Sequence, residues 1–242
     1  MSRGLRYALV AIFVGLAVFV GGPWVYINFV RDDAPESFVD QVATTVPDDA
    51  VVSDTTVSAV DTSAAPSETL SDPTGTWNIS AQSQVGYRVD EVLFGQNVTA
   101  VGRTNAVIGT IEIAGGSVVA AKFEVDMTTV TSDEPKRDAQ FASRIMDVLN
   151  YPTSTFVLDS PIVLPAEATS ASVSHAARGT LTLRGTSKAV NLTVVSSVRD
   201  GRIVVVGEIP VVFEEWGIPN PSIPGISTED SGVLEFNLVL ER

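Results

Sequence analysis

From residue 75 onward, apolar side chains recur at every second position. Val107, Gly109, Ile111 and Ile113 alternate with Ile108, Thr110 and Glu112. After Gly115-Gly116, Val119, Ala121, Phe123, Val125 and Met127 alternate with Ala120, Lys122, Glu124 and Asp126. A period of two places one set of side chains on each face of a half-buried antiparallel strand. The same reading covers residues 77–80, 85–89, 155–158, 173–183, 190–194, 203–211 and 233–240. Gly115-Gly116 and Asp200-Gly201 supply hairpin turns, because they tolerate positive φ. Residues 213–225 are irregular. One stretch departs from the pattern, residues 131–152. Ser132 or Asp133 can cap a helix start, Pro135 suits its first turn, and Phe141, Ile145, Val148 and Leu149 share one helical face. Asn150 and Pro152 end it. The spacing predicts an amphipathic helix of about three to four turns, whose apolar stripe must pack on the sheet.

Before residue 75 the pattern changes twice. Residues 8–30 carry no charge. At about 1.5 Å per residue they span the roughly 30 Å hydrocarbon core. The run is longer than a signal-peptide core and leaves through Trp24 and Tyr26 without a small-x-small site, so it reads as an anchor in preference to a cleaved leader. Arg3 and Arg6 precede it and Asp32, Asp33 and Glu36 follow, which sets the N-terminus in the cytoplasm and the remainder outside. Residues 31–74 are acidic and rich in Thr, Ser, Ala and Pro, the composition of a solvated, disordered tether. The expected organisation is therefore an anchor at 1–30, an acidic linker at 31–74 and a β domain at 75–242. About eight strands joined by short turns favour an antiparallel barrel with one inserted helix, since closure removes exposed edges.

The formal charge of −14 argues against nucleic acid as a partner, because phosphate binding needs clustered Lys and Arg. There is no Cys, so disulfides and thiolate catalysis are excluded. His175 is the single histidine, which excludes a multi-histidine metal site. It reads as an exposed or hydrogen-bonded histidine beside a strand. Gly102, Gly109, Gly115 and Gly116 lie in strand-turn-strand sequence, so they make bends and not a phosphate loop. No catalytic constellation emerges. Arg137-Asp138 is either a solvated first helical turn, with Asp138 favoured by the dipole, or a pair reaching a cavity mouth. Trp216 is core or pocket wall.

Several ordered pieces carry a family resemblance. They are Gly75-Thr76-Trp77, Val101-Gly102 with Gly109, and Arg137-Asp138 followed by Phe141, Tyr151-Pro152 and Phe156. The run from Gly179 to Lys188 and the corner of Phe213 with Trp216-Gly217-Ile218 complete the set. Together they resemble the YceI-like family of polyisoprenoid-binding, lipocalin-like proteins over about residues 75–242. The resemblance implies an eight-stranded barrel outside the cytoplasm, with an apolar tunnel for an isoprenoid chain such as a quinone tail or polyprenol. Many members carry His where Glu91 stands, and R-D-x-H where this chain has Arg137-Asp138-Ala139-Gln140, so the headgroup expected here differs.

On that reading Arg137 and Trp77 touch the headgroup, while Phe123, Phe141, Ile145, Leu149, Phe156, Trp216 and Phe236 line or plug the tunnel. No metal and no dedicated cofactor is expected beyond the bound isoprenoid lipid or quinone. The membrane is met through the N-terminal helix, and a homodimer is left open. The rival reading is a tethered structural module whose barrel is filled. Alternation alone does not separate the two, because a tunnel lining and a packed core share one pattern.

Overall fold

The structure, a computed structural model, describes residues 34–43 and 70–242, together with residues 25 and 29. The rest of the predicted span and most of the acidic tether lie outside the described residues. No helix among the described residues is long and apolar enough to cross a membrane.

Strands β1 (Gly75–Ile79) and β2 (Gln84–Leu93) form one long wall, broken at residues 80–83, and both pair with the last strand. Strands β3 (Gln96–Thr104) and β4 (Val107–Ala114) return beside it as a second broken wall. The breaks are stitched together by polar side chains. The Ser83 hydroxyl donates to the Val239 carbonyl at 3.2 Å and accepts from the Val239 amide at 2.9 Å. The Asn105 amide donates to the Ser83 carbonyl at 2.8 Å. These bonds stand in for ladder bonds that the bend removes.

The chain then runs through β5 (Ser117–Asp126), the two-residue β6 (Thr131–Ser132), β7 (Thr153–Leu158) and the short β8 (Ile162–Val163). Next come β9 (Val173–Leu183), β10 (Thr186–Arg199), β11 (Arg202–Val212), the short β12 (Ile226–Thr228) and β13 (Ser231–Glu241). Every pairing is antiparallel, and β13 meets β1 and β2 to close the ring. Counting each broken pair as one wall gives the eight-stranded antiparallel barrel.

At the upper end, β3 leaves β5 and pairs instead with β6, through Gly102 with Ser132 and Arg103 with Thr131. The opening this leaves is filled by helix material. Pro135–Gln140 is α-helical and Phe141–Ile145 continues as a π turn. The helix is shorter than the amphipathic pattern predicts. Met146 donates to the Phe141 carbonyl, and Asp147 turns the chain at φ 50°, three residues before the expected stop at Asn150. Val148 is still buried, by the turn and not by a helical face, while Leu149 is thrown outward.

A second departure lies in the tether. Residues 34–43, expected to be solvated, carry a short helix, Phe38–Ala43, seated on the outer wall. Glu235 faces outward on β13, yet it is buried between Arg103, at 2.7 Å, and Arg88, at 3.5 Å. Arg88 also donates to the Pro35 carbonyl and Arg103 to the Glu36 carbonyl. Phe38 closes the cluster beneath the Arg103 guanidinium, 4.1 Å from its ring centre. Charge-assisted bonds thus hold an acidic segment against an acidic protein.

The inner wall is built from aromatic rings laid over glycines. An added Cβ at Gly102 would stand 2.4 Å from the Tyr87 ring, at Gly179 2.2 Å from Phe156, and at Gly207 2.5 Å from Phe236. The Phe123 ring covers Gly109 in the same way. Each ring therefore occupies its neighbour's missing side chain and lies along the wall. Gly207→Val should force the Phe236 ring off the wall and lower stability by about 1–3 kcal/mol, as overpacking does. Urea denaturation measures this, and an unchanged midpoint would contradict the packing.

Candidate functional site

Inside the ring lies a cavity of about 620 Å³, within the range of roughly 300–1,000 Å³ usual for small-molecule sites. It runs the length of the barrel. Leu70, Leu164 and the turn Ala166–Thr169 bound the lower end, where the chain enters β1. Arg137, Glu91 and Ile223 bound the upper end. Between them the inward positions of the alternating strands, such as Ile111, Leu181, Leu192, Val205 and Ile209, supply an apolar lining.

Six of the nine residues singled out from sequence meet in this space: Phe123, Arg137, Phe141, Ile145, Phe156 and Phe236. Phe123 and Phe156 stack with ring centres 6.2 Å apart. Phe141 hangs from the π turn onto Tyr87, with ring centres 5.2 Å apart and planes 12° from parallel. The other three do not join them. Leu149 is 94% exposed, because the π turn rotates it away from the barrel. Trp216 is buried in the turn Phe213–Trp216 as core, covered by the Lys188 ammonium. Trp77 is core at the lower end, packed with Ile111, Ile113 and Leu240. Its indole donates to the Pro73 carbonyl at 2.7 Å. Trp77 and Arg137 therefore stand at opposite ends of the barrel and cannot share one headgroup.

Arg137-Asp138 secures the helix. The Asp138 carboxylate accepts from the Ser132 amide at 2.8 Å and from its hydroxyl at 2.6 Å, tying the helix to β6. Arg137 bonds Asp133 and reaches Glu91 on β2 at 3.9 Å. Its charge is thus already answered by carboxylates. Around the upper mouth Glu91, Asp133 and Glu134 outnumber Lys136 and Arg137, so the rim offers no net attraction to an anion. Tyr87, inside the mouth, is held neutral: burial pushes its phenol well above the usual range, against the opposing pull of Arg137.

Three groups escaped the sequence reading as site residues. Tyr87 is one. His175 and Ser196 are the others. They face the lower part of the cavity, with Nε2 of the imidazole 2.9 Å from the serine oxygen. His175 alternates with Ala177, Gly179, Leu181 and Leu183, so the period-two pattern carries its inward direction. Burial lowers the His175 pKa, which keeps the ring neutral. Among the described residues no cluster of His, Asp and Glu could hold a metal ion.

The chain belongs to the YceI-like family: the YceI-like domain matches residues 77–240. Among solved structures, it resembles a polyisoprenoid binding domain from Saccharophagus degradans implicated in plant cell wall breakdown, at 14% identity and a TM-score of 0.55, covering 69% of this chain and 97% of that one. It also resembles Burkholderia cenocepacia BcnA, at 18% identity and a TM-score of 0.52, covering 66% of this chain and 98% of that one. At these identities the likeness establishes the fold. No match was found among curated proteins.

Two outcomes follow from the geometry. Phe141→Ala should destabilise the barrel by about 3–5 kcal/mol, the usual result of emptying a buried aromatic site. Leu149→Ala should stay within about 0.5 kcal/mol, as exposed positions do. Thermal or urea unfolding separates them, and equal effects would contradict the placement of the π turn. Because the folded His175 pKa lies below its unfolded value, its share of stability is complete above about pH 6.5 and is lost as pH falls through that value, where only the unfolded chain takes the proton. An NMR titration of the single imidazole checks the direction. A folded-state midpoint at or above the value of a free histidine would contradict it.

Proposed function

We propose that the chain is an extracytoplasmic carrier that holds a polyisoprenoid lipid, a quinone tail or a polyprenol, in the barrel and performs no chemistry on it. The observation that carries this reading is the continuous apolar tunnel from Leu70 to the Phe141 lid. A prenyl chain gains about 0.8 kcal/mol for each buried CH₂, so a dry tunnel supplies affinity without many polar contacts. The filled-barrel alternative requires rings that point into the lumen, whereas here they lie along the wall over glycines. Family membership supports the same reading, as does the fold shared with the polyisoprenoid binding domain from Saccharophagus degradans. Residues 8–30 anchor the chain as a single pass, with the N-terminus in the cytoplasm and the barrel outside. The docked segment at 34–43 then holds the barrel close to the bilayer that supplies its lipid.

Native mass spectrometry of the full chain released from its own membranes tests this. A mass increment that organic solvent removes, and that analysis shows to be a prenyl lipid, is the expected result. A chain that carries no lipid and takes up no polyprenol when offered it would contradict the proposal. Val205→Trp, which fills the lumen from β11, should weaken uptake roughly tenfold or more by denying the tail a few methylenes.

A further inference from the structure

The tunnel is apolar almost throughout, so a polar pair on its wall stands out. His175 and Ser196 sit on neighbouring strands β9 and β10, where Val194 lies directly opposite His175 and Val173 opposite Ser196. Both side chains are turned inward, and His175 is only 7% exposed. They are bonded to each other through Nε2 and the serine oxygen at 2.9 Å. The other imidazole nitrogen, Nδ1, has no partner among the described residues. That nitrogen is not sealed inside the wall but meets the open space of the tunnel. The apolar residues around it offer no hydrogen bond, so a ligand entering the tunnel is what it can bond.

We infer that the His175–Ser196 pair is the headgroup site of the carried lipid, and that the headgroup is an uncharged oxygen function, a hydroxyl or a carbonyl. This rests on the lipid-carrier reading above. The chemistry fits either tautomer. If the serine hydroxyl donates to Nε2, then Nδ1–H is left to donate to a ligand oxygen. If Nε2–H donates to the serine, then Nδ1 accepts from a ligand hydroxyl and the serine proton is left to donate. The first case presents one donor to the lumen and the second an acceptor and a donor; a ligand hydroxyl can answer either set, and a ligand carbonyl can accept from the donor in each. A phosphate or diphosphate does not fit. One neutral imidazole in an apolar tube cannot offset the desolvation of two or more negative charges. At the upper mouth Arg137 is already bound to Asp133 and Glu91 among an excess of carboxylates. Neither end of the tunnel is built for an anion. The lipid is therefore seated with its head low, near the turn Ala166–Thr169, and its tail running up toward Phe141.

The test uses the full chain in detergent micelles and three probes: geranylgeraniol, its headless hydrocarbon counterpart, and geranylgeranyl diphosphate. The wild type should bind the alcohol about tenfold more tightly than the hydrocarbon, the value of one good buried hydrogen bond, and should bind the diphosphate most weakly. His175→Leu should bring the alcohol down to the level of the hydrocarbon and leave hydrocarbon binding intact. Because the chain has one histidine, its imidazole nitrogen resonances can be read in the wild type without any variant. They should shift with the alcohol and stay still with the hydrocarbon. Ser196→Ala offers a second, milder variant and should lose part of the preference. An alcohol preference that survives in His175→Leu, tightest binding by the diphosphate, or imidazole signals blind to the headgroup would overturn the headgroup site while leaving the carrier reading intact. Failure of all three probes to bind would overturn both.

Discussion

The contact on which this molecule depends is an aromatic ring resting on a glycine of the neighbouring strand. An eight-stranded barrel is narrow enough for its own side chains to fill it. Four large aromatic residues stand on the inner face here, and if each ring projected toward the axis the interior would close. The missing side chains at Gly102, Gly109, Gly179 and Gly207 give each ring a recess on the wall. The rings lie back into those recesses, bury their faces against the sheet, and leave a tube along the axis. The same substitution of a ring for a missing side chain restores local packing density, so the hollow is obtained without voids inside the wall itself.

The two ends of the tube are finished by different means. At the top, the wall opens where β3 and β5 part, and the short helix with its π turn fills the gap. Arg137 and Asp138 are spent on holding it there, through Glu91, Asp133 and Ser132. At the bottom, Trp77, Leu70 and the turn Ala166–Thr169 close the end around the entry of the chain. On the outside, Glu235 between two arginines forms a seat for residues 34–43. That cluster balances one buried carboxylate against two cations and uses the spare donors on the Pro35 and Glu36 carbonyls, so a segment that composition alone marks as solvated is drawn onto the surface.

Much of this was legible in the chain. Antiparallel strands with one buried face write their walls as alternation, so most of the barrel and its hairpins could be assigned, while Phe123, Phe156 and Phe236 were placed in the tunnel through the family resemblance and not by the pattern. Strand β3 could not be found that way. Its inward residues Ala100 and Gly102 are small, Gly102 because the Tyr87 ring takes the space of a side chain there, and the outward Val101 is apolar and buried. Leu149 was misplaced because helical spacing assumes a helix that continues, and a π turn ends that assumption at Phe141. The seat at 34–43 was invisible because its partners, Arg88, Arg103 and Glu235, are far away in sequence. The opposite positions of Trp77 and Arg137 depend on register around the whole ring, which no local pattern records.

Whether the tube is truly hollow can be measured without any lipid. A dry apolar cavity of this size takes up xenon, as engineered apolar cavities do. Crystals of the delipidated protein under xenon pressure should show anomalous peaks strung along the axis between Phe123 and Phe236. Crystals without xenon in the lumen, with those rings swung inward to fill it, would contradict the account.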